Sequence, residues 1–391
     1  MKLLDMGEQG AATHCDIREN AMNSLLFSPL QIRELTFRNR IVVSPMLMYQ
    51  GVNGFASDWH LVNLGRFAIG GAGLVFLEST KVHARGCTTP RDLGIWKDDF
   101  IAPLKRITEF VRAQGARIAI QIGHSGRKAR NALPWEGRAP LTTFVGVDHG
   151  EEWDLIGPSA LPHSASSGVP RALTIADIQT EIEDWGKAAK RALQAGFDVL
   201  EVHAAHGYLI HQFLSPTANH RADQYGGSLA NRMRFAVEVV DEVRRHWPSQ
   251  KPLFMRISAA DGADWTLNDS IELAKVVKTH GVDVIDCSSG GISRDVFDAP
   301  QPGYQVPYAE GVKTHGGVRT MAVGLITDAH QAEDILRREK ADLIALGREM
   351  LLNPNWPIQA AQQLGCRDPF ALLAPSYRYW LEKRANLTPT T

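Results

Sequence analysis

Residues 197–208 have the sequence Phe-Asp-Val-Leu-Glu-Val-His-Ala-Ala-His-Gly-Tyr, a short apolar run followed by polar side chains. Its nearly continuous apolar character is typical of a parallel strand that is covered on both faces. Helical periodicity precedes it over Ile175–Ala195 and stops at Gly196, a residue suited to the position after a helix. The stretch therefore predicts a helix, a tight turn and a buried strand that carries polar side chains to one end of a sheet.

The same pattern recurs along the chain. Similar apolar runs are Arg40–Met46, Gly73–Glu78, Arg117–Ile122, Pro252–Ile257, Val282–Cys287, Met321–Ile326 and Ala341–Leu346. Helical segments alternate with them at Ile101–Gln114, Leu229–His246, Ser270–His280 and Ala329–Arg338. The predicted N-caps of three helices are Thr174, Asn268 or Asp269, and Asp328. Eight strands alternating with helices predict a (β/α)8 TIM barrel, and a doubly wound open sheet is the alternative.

Two segments exceed what a barrel needs. Ala129–Thr174, after the third strand, is rich in Gly, Pro and Ser, and we expect it to cross the barrel mouth. The tail Pro354–Thr391 carries an aromatic cluster of Tyr377, Tyr379 and Trp380.

The first residues are polar and lack the apolar segment of a signal peptide. Met22 opens a stretch that is typical of a protein start. We therefore expect residues 1–21 to be an N-terminal extension, either an upstream addition or an ordered arm packed on the surface, followed by one barrel domain over residues 22–391.

Composition excludes several classes of protein. The 391 residues are 44% hydrophobic and 22% charged, as in a globular protein with a large core. Lys plus Arg (42) balances Asp plus Glu (43), which argues against binding to nucleic acid or an anionic membrane. No run of 18 apolar residues predicts a membrane span. The four cysteines lie far apart, without zinc or cluster spacing, which favours a reducing, cytoplasmic compartment.

Barrel active sites lie at the carboxyl ends of the strands. Gly324 and Gly347 follow the last two predicted strands, and Arg348 stands beside the second. Backbone N–H groups and an arginine at this place suit a phosphate, although glycines here also make tight turns. Gly290 and Gly291 after the sixth strand would let a ligand approach the backbone.

The polar cluster at the end of the fourth strand contains His203, His206 and Tyr208. Two imidazoles and a phenol could polarise a carbonyl group and supply a proton. A metal site would need further ligands from His124, Asp198 or Glu201, and hydrogen-bonded structural histidines are a third possibility. No lysine ends a predicted strand, which argues against Schiff-base chemistry.

The chain has no GxGxxG sequence after a strand, so a dinucleotide would not bind as in a Rossmann fold. A phosphate site combined with polar strand ends suits flavin mononucleotide (FMN). Gln121 is apt for the pyrimidine edge of the flavin, and Arg256 could stabilise negative charge on the reduced ring.

The chain resembles the Old Yellow Enzyme family of FMN-dependent ene reductases, in particular the bacterial subgroup that includes xenobiotic reductase and the "thermophilic-like" enzymes. The resemblance runs from about Leu26 to Trp380. It rests on FSPLQIRELTFRNRIVVSPM (27–46), DLGIWKDD (92–99), QIGHSGRKA (121–129), EVHAAHGYLIHQFLSPTANHRADQYGGSLANRMRF (201–235), VDVIDCSSGG (282–291), AVGLIT (322–327) and ADLIALGREML (341–351).

The resemblance implies roles for individual residues. Those expected to contact FMN are Ser44, Pro45, Met46, Leu47, Ser79, Gln121, Arg256, Gly324, Gly347 and Arg348. His203 and His206 would hold the carbonyl oxygen of an enone substrate, Tyr208 would be the proton donor and Tyr49 would contact the substrate. Trp380 is similar to an aromatic residue that lines the neighbouring subunit's site, which implies a homodimer or a dimer-based tetramer. NADPH or NADH would be the reductant.

One position departs from the family pattern. The subgroup usually has a cysteine where this chain has Leu47, so an altered flavin potential is expected. In the family-like stretch 219–234 we expect structural roles, with Arg221 and Asp223 as partners. Arg127 and Lys128 are expected to hold their loop.

Two other functions remain open from the sequence. One is a barrel isomerase or lyase that binds a phosphorylated metabolite through Gly324, Gly347 and Arg348. The other is a flavoprotein that acts mainly on quinones or nitro compounds.

Overall fold

The computed structural model describes residues 24–141, 153–262, 264–292 and 300–387, so the expectation for residues 1–21 lies outside the described part. The strands are β1 (Leu30–Ile32), β2 (Leu35–Phe37), β3 (Ile41–Val43), β4 (Leu74–Lys81), β5 (Arg117–Gly123), β6 (Ile156–Gly157), β7 (Arg171–Ala172), β8 (Val199–Ala204), β9 (Leu253–Ser258), β10 (Val284–Ser288), β11 (Arg319–Ala322) and β12 (Leu343–Leu346). The helices are α1 (Asp58–Ile69), α2 (Ile101–Ala113), α3 (Ile175–Gln194), α4 (Leu209–Leu214), α5 (Leu229–His246), α6 (Leu267–Thr279), α7 (Val306–Gly316), α8 (Ala329–Arg337), α9 (Arg348–Leu352), α10 (Trp356–Gln363) and α11 (Pro375–Leu387).

Eight parallel strands form a closed barrel in the order β3, β4, β5, β8, β9, β10, β11, β12. Ile344 of β12 pairs with Ile41 of β3, which closes the ring. The predicted TIM barrel is therefore confirmed, and the open-sheet alternative is wrong.

The barrel has two apolar layers. Alternate strand residues such as Val42, Phe76 and Phe254 fill its interior, and Phe37 of the β1–β2 hairpin packs on the same cluster. The intervening residues, such as Ile120, pack outward against the helices. Alternation of this kind follows from the two-residue period of a strand.

The helix ends show why these segments are helical. The Thr174 hydroxyl accepts a hydrogen bond from the Asp177 backbone N–H, and the Asp328 carboxylate accepts one from Gln331, so both predicted caps are confirmed. Helix α6 starts earlier than predicted because Thr266, rather than Asn268 or Asp269, is its cap. Such a cap contributes about 1 kcal/mol of stability.

Three strands end three or more residues away from their predicted ends. β3 ends at Val43 rather than Met46. β4 runs three residues beyond Glu78, so a lysine, Lys81, does end a barrel strand, and the expectation that none does is wrong. β11 ends at Ala322 rather than Ile326, because Gly324 adopts a φ of 120° and its carbonyl accepts a hydrogen bond from Gly303.

None of the helices within the described ranges combines the length and the apolar character that crossing a membrane requires.

Candidate active site

Polar side chains from several strands share one end of the barrel interior. In the strand register Gln121 pairs with Glu201, and Arg256 pairs with both His203 and Asp286. Residues paired in this way on neighbouring parallel strands point to the same face of the sheet. The five side chains therefore lie together on the interior face near the mouth.

Arg256 is the centre of a buried polar layer. Its Nη1 donates to Ser44 Oγ at 3.0 Å, and its Nε lies 3.2 Å from Asp286 Oδ2. Gln121 Nε2 donates to Glu201 Oε1 at 2.9 Å. Burial raises the pKa of Asp286, while burial and the neighbouring Asp286 carboxylate raise the pKa of Glu201 well above its usual range. The layer thus holds a guanidinium beside carboxyl groups that tend to keep a proton.

His203 is buried and neutral. Burial, with a smaller contribution from His206, lowers the pKa of His203 well below its usual value. Its Nδ1 accepts a hydrogen bond from the Ala205 backbone N–H at 3.2 Å. Because Nδ1 is the acceptor, the single proton of the neutral ring resides on Nε2. His203 therefore presents an uncharged N–H donor.

His206 is held by its backbone as well as its ring. It adopts a left-handed φ of 57°, and its N–H donates to Ser258 Oγ at 2.9 Å. Its Nε2 lies 2.7 Å from Ser288 Oγ, and its ring stacks edge-on with His203 at 5.2 Å between centroids. Burial lowers the pKa of His206 well below its usual value, so this ring is also neutral. The predicted histidine pair is thus brought together.

Gly291 has a different role from the predicted one. Its φ is 118°, and a Cβ there would lie 2.2 Å from the His206 carbonyl carbon. Close approach of the His206 backbone, rather than of a ligand, therefore requires glycine at this position.

Tyr208 directly precedes α4 and is only 8% exposed. Its ring lies 4.8 Å from the His203 ring, and Thr88 Oγ1 donates to its hydroxyl at 3.4 Å. Lys128 Nζ lies 5.7 Å from the ring centroid and donates to the carbonyls of His206 and Gly291, at 2.8 and 3.1 Å. Lys128 therefore ties its own loop to the turns that follow β8 and β10, as predicted for a residue that holds its loop. Burial lowers the pKa of Lys128 to about 8.

A cavity with a volume of about 570 Å³ opens above Tyr208. Its floor includes Tyr49, Thr88 and Lys128, and its other walls come from 131–140 and 163–167. These wall segments belong to the long excursion after the third strand, so its predicted position over the barrel mouth is confirmed for them. Residues 142–152 of that excursion lie outside the described part.

Tyr49 reaches the same cavity from the segment after β3. It adopts a left-handed φ of 56°, and its ring meets the edge of Trp135 at 5.7 Å. Burial, followed by the influence of Tyr208, raises the pKa of Tyr49 to about 12. The side chain is thus a neutral phenol beside Tyr208.

The residues predicted to bind phosphate follow β11 and β12, which are neighbours in the barrel. Gly347 lies near Met46, since a Cβ at Gly347 would be 3.5 Å from the Met46 sulfur. Arg348 is exposed, and its guanidinium has no hydrogen bond or ion pair to any residue that the structure describes. Among the described residues, Arg348 thus offers an unpaired cation directly after Gly347, the residue that lies near Met46.

This set of groups fits FMN. Gln121 Oε1 and Arg256 Nη2 make no hydrogen bond to other described residues, so they offer an acceptor and a charged donor suited to a flavin pyrimidine edge. Arg348 offers a charge for a phosphate at the next part of the rim. Ser44 is already fixed to Arg256, which places the segment Ser44–Leu47 at the same end of the barrel.

The candidates for metal ligands serve other purposes. Asp198 accepts a hydrogen bond from the Ile118 backbone N–H at 3.1 Å, and His124 Nδ1 accepts one from Gly126 at 2.9 Å. In the described ranges no three His, Cys, Asp or Glu side chains are grouped so as to hold a metal ion.

Sequence reasoning missed three residues that touch this site, which are Lys81, Thr88 and Asp286. Asp286 lies two residues before Ser288 on β10, so the strand period could have placed it on the interior face. The predicted end of β4 at Glu78 hid Lys81, and no local pattern pointed to Thr88.

Comparison with known proteins shows the family to which the chain belongs. The profile of the NADH:flavin oxidoreductase / NADH oxidase family matches residues 25–366. An NADPH dehydrogenase of Geobacillus sp. (strain WCH70) is 44% identical over 348 residues, which cover 88% of this chain and 96% of that protein. An NADPH dehydrogenase of Bacillus subtilis (strain 168) is 42% identical over 351 residues, with the same two coverages.

Solved structures share the fold. Morphinone reductase superposes with a TM-score of 0.73 at 28% identity, covering 91% of this chain and 93% of its own. 2-Naphthoyl-CoA reductase, in complex with 2-naphthoyl-CoA, gives a TM-score of 0.79 at 25% identity. That match covers 88% of this chain but 53% of the reductase, so this chain corresponds to about half of the larger protein.

Proposed function

Since the chain belongs to the NADH:flavin oxidoreductase / NADH oxidase family, also called the Old Yellow Enzyme family, we propose that it reduces activated C=C bonds of α,β-unsaturated carbonyl compounds. It is an NAD(P)H-dependent flavin oxidoreductase, and its cofactor is FMN. This membership sets aside the isomerase or lyase alternative. The proposal concerns the substrate and the residues that act on it.

One observation carries the proposal. The neutral His203 ring, with its proton on Nε2, lies 4.8 Å from the ring of Tyr208, and Tyr208 in turn lines the cavity. A hydrogen-bond donor for an oxygen and a phenolic proton donor therefore stand side by side. An enone needs these two groups, because its oxygen gains negative charge and its α-carbon gains a proton during reduction.

His203 and His206 bind and polarise the carbonyl oxygen of the substrate. FMN, when bound, would supply the hydride for the β-carbon, and NADPH or NADH would be its reductant. Negative charge then develops on the oxygen, and fixed N–H donors in a buried site stabilise it more than water would. Because both rings are neutral, they stabilise this charge without becoming proton donors themselves.

Tyr208 protonates the α-carbon. We expect its proton to arrive on the face opposite the hydride, which gives net trans addition. Tyr49 contacts the substrate from the other side of the cavity floor. The residues that hold FMN are Ser44, Pro45, Met46, Leu47, Ser79, Gln121, Arg256, Gly324, Gly347 and Arg348.

A second copy of the chain completes the site in this proposal. Helix α11 has no buried residue, and Trp380 on it is 67% exposed beside Tyr377 and Tyr379. An exposed aromatic cluster of this kind supports packing against another subunit. We expect Trp380 to reach the neighbouring site in a homodimer or a dimer-based tetramer.

The described cysteines, Cys87, Cys287 and Cys366, are free thiols. They support the expected reducing, cytoplasmic compartment.

An anaerobic absorbance titration tests the reaction. The purified protein is reduced with NADPH and then mixed with 2-cyclohexenone, and the products are analysed. We expect the flavin spectrum to bleach with NADPH and to return with the enone, with release of the saturated ketone. A reduced flavin that a quinone or a nitro compound reoxidises, but the enone does not, would replace the enone proposal with the second flavoprotein function. Reoxidation by oxygen alone would refute the enone proposal.

A further inference from the structure

Lys81 is a lysine with no exposed surface at the edge of the active site. Its Nζ donates to Ser79 Oγ at 3.2 Å, lies 3.6 Å from Asp92 Oδ2 and lies 4.9 Å from the centroid of the Tyr208 ring. A fully buried lysine is rare unless it is paired. Here the ammonium group stands between a serine expected to contact FMN and the expected proton donor.

A β-bulge aims this side chain into the barrel. Leu77 pairs with Ile120 of β5 and Thr80 pairs with Ile122, so β4 holds one extra residue between these two pairs. A regular ladder would pair Thr80 with the next residue, Gly123, and turn Lys81 outward. The bulge instead pairs Lys81 with Gly123, whose face is interior because a Cβ there would lie 3.3 Å from His203 Cβ. Bulges next to active sites commonly redirect a side chain in this way.

Asp92 fixes the ammonium group and is itself fixed. Its carboxylate accepts hydrogen bonds from the backbone N–H of Thr88 at 2.7 Å and from the Thr89 hydroxyl at 2.7 Å. The backbone of Lys81 adds a hydrogen bond from its N–H to the Leu93 carbonyl at 2.8 Å. The position of the charge is thus set from both ends of the side chain.

We propose that Lys81 is a positioning residue that stabilises the phenolate left on Tyr208 when this tyrosine has given its proton to the substrate. The proposal rests on the proposed function, in which Tyr208 is the proton donor. In that step the O–H bond of Tyr208 breaks, and the electron pair of the enolate forms the new C–H bond. Negative charge passes to the phenol ring, and a buried cation over the ring face attracts it.

Other groups that face Tyr208 do not explain the position of Lys81. Lys128 approaches the ring from the turn after β5, His203 from β8 and Tyr49 from the segment after β3. Lys128 is occupied by two backbone carbonyls, and both His203 and Tyr49 are neutral. Lys81, by contrast, is a cation whose side-chain partners in the described part of the site are the Ser79 hydroxyl, the Asp92 carboxylate and the Tyr208 ring.

The test compares Lys81→Met with Lys81→Arg, which keeps the charge. Lys251→Met is the matched control, since Lys251 Nζ lies 5.5 Å from the Trp247 ring near the start of β9, at the other end of the barrel. In Lys81→Met the Asp92 carboxylate loses its ammonium partner. The double variant Lys81→Met/Asp92→Asn also removes the negative charge of this carboxylate. FMN content reports on folding in each variant.

Two measurements are made on each protein. One is the rate of the two half-reactions, with NADPH and then with 2-cyclohexenone, as a function of pH. The other is an ultraviolet titration of tyrosinate, taken as the difference from the same protein with Tyr208→Phe, which needs no turnover.

We expect Lys81→Met and the double variant to slow the enone half-reaction roughly tenfold, as for loss of a desolvated cation–π contact. Reduction by NADPH should stay within about twofold, as it does not use the phenolic proton. In these two variants, the alkaline limb of the pH–rate profile of the enone half-reaction and the midpoint of the Tyr208 titration should both move to higher pH. Lys81→Arg and Lys251→Met should leave both near wild type.

Unchanged ionisation of Tyr208 in the two Lys81→Met proteins would overturn the proposal, and so would an equal loss in both half-reactions. A wild-type protein that never reduces the enone would instead refute the proposed function. The tyrosinate titration would then still decide whether Lys81 stabilises the Tyr208 phenolate.

Discussion

The ring of Tyr208 lies 4.8 Å from the ring of His203, centroid to centroid, with 60° between their planes. His203 belongs to β8, whereas Tyr208 follows the turn after it and precedes α4. One strand-to-helix turn therefore holds both groups that an enone needs, at a separation suited to neighbouring atoms of one small substrate.

Tyr208→Phe should separate the two half-reactions. We expect enone reduction to slow by roughly 10² or more, because a positioned general acid contributes about this factor. Reduction by NADPH should change little, since it requires no proton from the phenol. Stopped-flow absorbance of the flavin measures both rates, and equal slowing of both would refute the proton-donor role.

His203→Ala should weaken binding of phenolic ligands. A phenolate resembles the enolate oxygen, so loss of the His203 N–H donor should raise the Kd roughly tenfold, the equivalent of one hydrogen bond to a charged group. Ligand-induced changes in flavin absorbance give the Kd. His315→Ala, an exposed histidine on α7, is the control, and an unchanged Kd in His203→Ala would contradict the assigned contact.

Leu47→Cys should raise the midpoint potential of the flavin. A thiol can donate a weak hydrogen bond to the reduced ring, whereas leucine only packs against it. If this hydrogen bond stabilises the reduced flavin by about 1.4 kcal/mol, the midpoint potential rises by roughly 30 mV for a two-electron couple. Equilibration with reference dyes measures the potential, and a value equal to wild type would show that position 47 does not tune the flavin.

Glu181→Gln should change the pH dependence of stability. Burial raises the pKa of Glu181 to about 7, despite Arg85 Nη2 at 3.0 Å. The folded protein therefore keeps this proton to higher pH than the unfolded chain does, and the resulting stabilisation is lost as pH rises from about 4.5 through 7. Relative to wild type, Glu181→Gln should gain up to about 3 kcal/mol in free energy of unfolding between pH 5 and pH 8.

Urea unfolding at both pH values measures this difference. Glu183→Gln, an exposed position on the same helix, should show no such change. A pH-independent difference between Glu181→Gln and wild type would show that Glu181 ionises normally in the folded protein.

Mixed oligomers test the place of Trp380. We expect Trp380→Ala and Tyr208→Phe to be poor enone reductases when pure. If Trp380 serves the neighbouring subunit, equal mixing followed by subunit exchange should make about one quarter of the sites intact. Activity that recovers toward this fraction supports the shared site. No recovery despite exchange, checked by sedimentation of tagged subunits, would place Trp380 in its own subunit's site or in none.

The fold was predictable because each barrel strand is a short apolar run with a helix signal after or before it. All eight predicted runs overlap barrel strands. The ends were less predictable, because tertiary contacts decide them. Gly324 leaves β11 through its positive φ, and Thr266 takes over the cap of α6 with a hydrogen bond to Asp269 that no periodicity requires.

The candidate site was predictable where residues follow strands directly. His203, His206, Tyr208, Gln121 and Arg256 were found in this way, and they do gather at the mouth. Lys81 was missed because a bulge changes which face its side chain occupies, and a bulge has no signature in an apolar run. The role of Gly291 was misjudged because its close neighbour, the His206 backbone, is distant in sequence.

The cavity has a floor built from the segments that follow four barrel strands, with Tyr49, Thr88, Lys128 and Tyr208, and walls built largely from the excursion between β5 and β8. Chemistry and selectivity are thereby assigned to separate stretches of the polypeptide. Segments 131–140 and 163–167 can be exchanged or randomised as a cassette, while His203 and Tyr208 keep the scaffold that orients them. For protein engineering, the excursion is the region in which new substrate shapes can be accommodated without rebuilding the reactive centre.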